Sequence, residues 1–154
     1  MARRRKTGPL TKRELAAWRA IVRALFVLPR VLDADLLASS GLNSTDYGVL
    51  ALLSEEPTRS MRMSELASWS ALSASGLTRV VERLARQGLV ERHRSEQDGR
   101  GQVARLTDVG LSRLEQAYPH HVESVRRRVL DHFDAVDLVA LTDALNAIGA
   151  PEKP

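Results

Sequence analysis

The chain has 154 residues, 44% apolar and 27% charged, which fits one globular domain, or one domain plus a dimerising extension. It has no cysteine, so disulfides, thiolate metal sites, thiol redox switches and cysteine nucleophiles are excluded, and six aromatic side chains are too few for a stacking platform on single-stranded nucleic acid. The net charge of +4 is uneven: residues 1–13 carry +6 and 59–105 carry +4, whereas 14–58 and 106–154 each carry −3. A basic tail and a basic central stripe are the footprint of a protein that meets a polyanion.

Residues 1–10 hold four cations followed by Gly8 and Pro9 and read as a disordered tail. No apolar core follows these cations, so they are not read as a secretory signal, and no run is long and apolar enough to span a membrane. A cytoplasmic protein without a membrane partner is expected. Thr11 with Glu14 three residues on forms a capping box. Leu15, Trp18, Val22, Leu25, Leu28, Leu32 and Leu36 then recur at helical spacing, closed by Gly41. Pro29 inside this stripe should kink or interrupt the helix. Ser44 or Thr45 opens a second helix carrying Tyr47, Val49, Leu50 and Leu53.

Ser64 is expected to cap a short helix over 64–69. Ser73 caps the next, over 74–87, which buries Leu77, Val80, Val81 and Leu84 and ends at Gly88 in a left-handed cap. Residues 89–94 alternate like a strand, 95–101 are turn-forming, and 102–106 return, so 89–106 reads as a β-hairpin. Thr107 caps a long helix with Leu111, Leu114, Tyr118, Val122, Val125 and Val129 on one stripe, which Pro119 should bend. Asp134, with Asp137 at its third position, opens a last helix ended by Gly149 and Pro151.

Two short helices, a tight turn and a hairpin make a winged helix-turn-helix. The fold class is therefore mainly α with a small β-hairpin wing. Its organisation is a tail at 1–10, an N-terminal dimerisation helix at 11–40, a winged unit at 42–106 and C-terminal dimerisation helices at 107–150. The flanking stripes are too long for one compact layer to bury, and pairing across a two-fold axis removes them from water. Two reading helices then face successive major grooves ~34 Å apart, which implies a pseudo-palindromic operator.

Ser64-Glu65-Leu66-Ala67, Leu72 to Leu84, Gly88-Leu89-Val90-Glu91-Arg92, Asp98-Gly99-Arg100 and Leu106-Thr107-Asp108-Val109-Gly110, in this order and spacing, resemble the MarR family of transcriptional regulators. The resemblance implies a homodimer that binds double-stranded DNA, with terminal helices at the dimer interface, the second helix of the motif in the major groove and the wing arginine in the minor groove. It also implies, as a family habit, release from DNA by a small aromatic or phenolic ligand.

On helix 74–87 the polar face presents Ser75, Thr78, Arg79, Glu82 and Arg83. Ser75 and Thr78 suit base edges or phosphates, Ala74 a thymine methyl, and Arg79 a guanine edge or a phosphate. Ser73 is favoured as the N-cap beside its place at the groove. Arg83 and Arg86, further along, suit phosphates, as do Arg62 and Ser64 ahead of the first helix of the motif and Arg94 on the strand. Arg100, between two glycines, suits a narrow minor groove. Asp98, by the resemblance, braces the wing.

No catalytic motif and no cofactor are expected. His120 and His121 point about 100° apart on a helix, and His132 lies eleven residues on, so no metal site is read there. Arg126, Arg127 and Arg128 read as a solvated stretch with Glu123 and Asp131 as acid partners. Trp18, Arg23, Tyr47, Trp69 and Tyr118 are candidates for a ligand pocket, each more often a core or interface residue. Two competing readings are an architectural DNA binder without an effector, and a protein-interaction module that uses a winged helix without DNA.

Overall fold

The computed structural model describes residues 8–70, 72–94 and 101–148. Helix α1 (Lys12–Ser40) opens on the expected capping box: Thr11 Oγ1 accepts from the Glu14 amide at 3.2 Å, and the Glu14 carboxylate accepts from the Thr11 amide at 2.9 Å. It runs through Pro29 without interruption. Pro29 is exposed, and Val22, Leu28, Leu32 and Leu36 are at least half-buried on the side that packs along α5. Packing along that side outweighs one missing backbone hydrogen bond. Gly41, at φ 70°, then reverses the chain and donates its amide to the Leu37 carbonyl.

Helix α2 (Ser44–Glu55) opens at Ser44, as expected, and is capped by Asn43, whose side-chain oxygen accepts from the Asp46 amide at 2.8 Å. The Ser44 amide instead donates to Asp33 on α1 at 2.7 Å. A strand not foreseen from the sequence follows, β1 (Ser60–Arg62). Helix α3 (Met63–Trp69) has Arg62 at its cap position, so Ser64 lies in its first turn and does not cap it; the Glu65 carboxylate accepts from the Arg62 amide at 3.4 Å.

Helix α4 (Ala74–Arg86) is capped as expected, with Ser73 Oγ accepting from the Gly76 amide at 3.1 Å and Leu77, Val80, Val81 and Leu84 buried. Gly88, at φ 71°, ends it. Strands β2 (Val90–Arg94) and β3 (Gln102–Leu106) form the hairpin. They belong to a three-stranded antiparallel sheet in the order β1-β3-β2, with Met61 opposite Ala104 and Arg92 opposite Ala104 on its other side.

Helix α5 (Asp108–Arg128) is capped by Thr107, as expected, and continues through Pro119. A 3-10 turn at Leu130–His132 leads to α6 (Leu138–Asn146), capped by Asp137 and not opened at Asp134. Thr107 is a junction. Its hydroxyl accepts from the Gly110 amide at 3.0 Å and donates to the Gly88 carbonyl at 2.7 Å. Gly110 is required here, because a Cβ at this position would lie 2.1 Å from the Leu89 carbonyl oxygen.

The core lies in the winged unit and where it meets the end of α1 and the start of α5. Leu36, Leu50, Leu53, Leu66, Leu77 and Leu84 are its largest fully buried side chains, with Val49, Val81 and Val90 beside them. Other faces of the flanking helices stay exposed: on α1 Leu25 is 68% exposed, and α6 buries no residue at all. Among the described residues no helix is long and apolar enough to cross a membrane.

Candidate nucleic-acid interface

The amphipathic spacing of α4 turns one face into the core and leaves the other outside. Ser73, Ala74, Ser75 and Arg79 are exposed and Thr78 half-buried at the start of that outer face. Thr78 Oγ1 donates to the Ala74 carbonyl at 2.9 Å, which leaves its oxygen lone pairs as acceptors. The Arg79 side chain makes no hydrogen bond or ion pair among the described residues. Beside this turn, Arg62, Met63 and Ser64 of β1 and α3, Thr78 of α4, and Arg92, Gly101 and Gln102 of the wing line a hollow of about 400 Å³. The fold thus brings Arg62, Ser64 and Thr78, three of the sequence candidates, to one concave surface.

The wing adds charge by strand alternation. Arg92 and Arg94 share one face of β2, and Arg92 reaches Glu82 on α4 at 3.2 Å and Gln102 on β3. Glu91 and His93, 3.0 Å apart, occupy the other face. Gln102 carried no sequence signal of its own; only its register opposite Arg94 on the hairpin places it here. Asp98 and Arg100 lie outside the described residues.

Arg83 departs from the picture of a helix face turned to a phosphate. Its guanidinium points back to α2, donating from Nε at 3.1 Å and from Nη2 at 2.5 Å to the buried Asp46 carboxylate. That hydrogen-bonded pairing raises the pKa of the guanidinium. Asp46 also accepts from the Asn43 side-chain amide at 3.0 Å. The pair ties α4 to α2.

A second polar cluster joins α1 to the end of α5. Asp35 accepts from Ser124 at 2.6 Å, from Arg127 at 3.0 Å and from Arg128 at 2.9 and 3.0 Å. The Arg128 bond first, then the Ser124 bond, holds this carboxyl well below the usual carboxylate range. Arg127 and Arg128 are thus not a merely solvated stretch, and their acid is Asp35, not Glu123 or Asp131. Tyr47 packs on His121 with ring centroids 4.4 Å apart. Burial pushes the Tyr47 phenol up and the His121 imidazole down. Trp18, Trp69 and Tyr118 are exposed, Tyr47 is buried, and Arg23 lines a 570 Å³ groove between α1 and the end of α5 that contains none of the other four pocket candidates. No cluster of His, Asp or Glu able to hold a metal occurs among the described residues.

The MarR family model matches residues 40–101. AbsC, a MarR family transcriptional regulator from Streptomyces coelicolor, is 40% identical; the match covers 90% of this chain and 93% of that one with a TM-score of 0.83. Sco3205, a MarR family regulator from the same organism solved in complex with DNA, is 34% identical over 96% of this chain and 92% of that one, with a TM-score of 0.87. The transcriptional repressor YetL of Bacillus subtilis is 32% identical over 88 residues, 57% of this chain and 53% of that protein. The chain spans about half the length of the curated relatives it matches. With this likeness to AbsC and Sco3205 over nearly the whole of each, the chain belongs to the MarR family of transcriptional regulators.

Proposed function

We propose that this chain is a homodimeric, sequence-specific, double-stranded-DNA-binding repressor of transcription. The observation that carries the reading is the exposed first turn of α4, with Ser73, Ala74, Ser75, Thr78 and Arg79, standing beside a concave surface with Arg62, Ser64 and Arg92 on its wall. The first turn of the helix meets base edges, and Arg62 and Ser64 beside it meet phosphates. Arg94 extends the cationic edge along the wing. Arg100 enters the minor groove and Asp98 braces the wing tip, both roles taken from the family likeness. Arg83 acts through Asp46 as a brace for α4.

Support for the dimer comes from the exposed apolar side chains of α1 and α6, including Trp18, Leu25, Phe26, Leu138, Val139 and Leu145. Pairing with a second copy removes such side chains from water. The groove between α1 and α5 is rimmed by Arg23, Arg127, Arg128 and His132, while residues 134–148 contain three aspartates and no basic residue. Release by a small aromatic or phenolic ligand follows from the family likeness.

The test is a titration of the duplex just upstream of the protein's own reading frame, at two salt concentrations and against random-sequence competitor. A tight, competitor-resistant complex of one dimer per palindrome is expected, and Arg79→Ala should weaken it by ~1–3 kcal/mol. Arg100→Ala should weaken it most where the minor groove is narrow. Binding that the competitor abolishes at both salt concentrations favours an architectural role. Unchanged affinity in both variants overturns the residue assignments.

A further inference from the structure

We infer that Arg92 is a positioning residue that, held by Glu82, fixes the wing against α4 and so sets where the wing lands on DNA relative to the reading helix. The inference rests on the DNA-binding reading above. On the inner face of the hairpin, Val90, Ala104 and Leu106 are buried, and with them the apolar attachment of the wing ends. Beyond them that face carries Arg92, Arg94 and Gln102. At this point the Arg92 guanidinium spans the gap, donating from Nη1 to Glu82 Oε1 at 3.2 Å and from Nη2 to the Gln102 side-chain oxygen. One planar group thereby joins α4 to both strands of the wing. Glu82 lies one helical turn beyond Thr78, on the same face of α4.

The sign of the Glu82 charge makes the argument. A carboxylate on the face of α4 that meets the hollow opposes a polyanion by Coulomb's law alone. A phosphate-binding arginine gains nothing from an acid that occupies its donors. A bracket needs that acid, because a guanidinium holds a fixed orientation only when its planar fork is hydrogen-bonded. The side chains are 31% exposed for Arg92 and 51% for Glu82, so changing either leaves the core intact.

The experiment compares Glu82→Ala, Glu82→Gln, Arg92→Ala and the Glu82→Ala/Arg92→Ala double variant in the full chain. Without DNA, hydrogen exchange is read over 90–94 and 102–106. Glu82→Ala and Arg92→Ala should each speed exchange roughly two- to fivefold, the scale of an exposed ion pair. The double variant should go no further, and Glu82→Gln, which keeps an acceptor, should stay near the native protein. With a duplex selected by the native protein from a random library, Glu82→Ala should lose hydroxyl-radical protection in the outer minor grooves and keep it where α4 sits. Parallel loss at both places is general destabilisation and overturns the inference. So does identical behaviour of Glu82→Ala and Glu82→Gln, which carry the same charge change. A salt slope reduced by about one in Arg92→Ala, with Glu82→Ala silent, makes Arg92 a phosphate contact and also overturns it. If the native protein selects no duplex, the DNA reading fails, while the exchange data still decide the bracket.

Discussion

Removing Arg83 should destabilise the protein more than removing the charge of its partner. In the native pair Asp46 is 4% exposed, whereas the Arg83 side chain is 38% exposed. Arg83→Met keeps the aliphatic stem and strands a buried carboxylate. Losing one partner of a fully buried pair costs about 3–5 kcal/mol. Here the carboxylate keeps the Asn43 amide and sits in the first turn of α2, where the helix dipole favours an anion, so the expected loss is about 2 kcal/mol. Asp46→Asn instead leaves a guanidinium that is already part-exposed and turns to water, which costs about 1 kcal/mol after solvent screening. The assay is urea unfolding of both variants and the double variant at one protomer concentration, since assembly shifts apparent stability. The single losses should sum to more than the double loss. Equal losses in the two singles, or a larger loss for Asp46→Asn, would refute the reasoning.

Gly110→Ala places a Cβ 2.1 Å from the Leu89 carbonyl oxygen; a loss of ~1–3 kcal/mol is expected from overpacking against backbone, read as a drop in the unfolding midpoint. Pro29→Ala restores a helix hydrogen bond at an exposed position in α1 and should stabilise by ~1–3 kcal/mol, seen as a higher Tm with unchanged helical circular dichroism. Burial lowers the His121 pKa from 6.5, so the unfolded chain takes up a proton that the folded chain refuses. Stability from this group is complete above about pH 6.5 and falls as the pH drops from there toward the folded value. His121→Gln should therefore flatten the decline of the denaturation midpoint between about pH 7 and 5, and an unchanged slope would assign that decline to other groups.

Local chemistry was legible in the sequence wherever a signal lay within a few residues of its effect. Thr11, Ser73 and Thr107 cap the helices they were expected to cap, and the two hairpin strands fall where alternation put them. The exposed face of α4 followed from the spacing of Leu77, Val80, Val81 and Leu84. What was missed depended on partners far along the chain. The three residues of β1 are too few to show alternation, and their pairing with β3 spans more than forty positions. The same holds for Asp46 with Arg83 and for Asp35 with Arg127 and Arg128, 37 and 92–93 residues apart. Pro29 does not interrupt α1, because a proline signal is local, whereas the packing of α1 along α5 is not.

The Thr107–Gly110 junction has a mechanical consequence. The first turn of α5 bears directly on the backbone at Gly88 and Leu89, and a single hydroxyl holds the end of α4, the start of β2 and the cap of α5 together. A tilt of α5, however it is produced, is therefore felt first at the end of α4 and the start of β2, so the helix and the root of the wing receive it at one point.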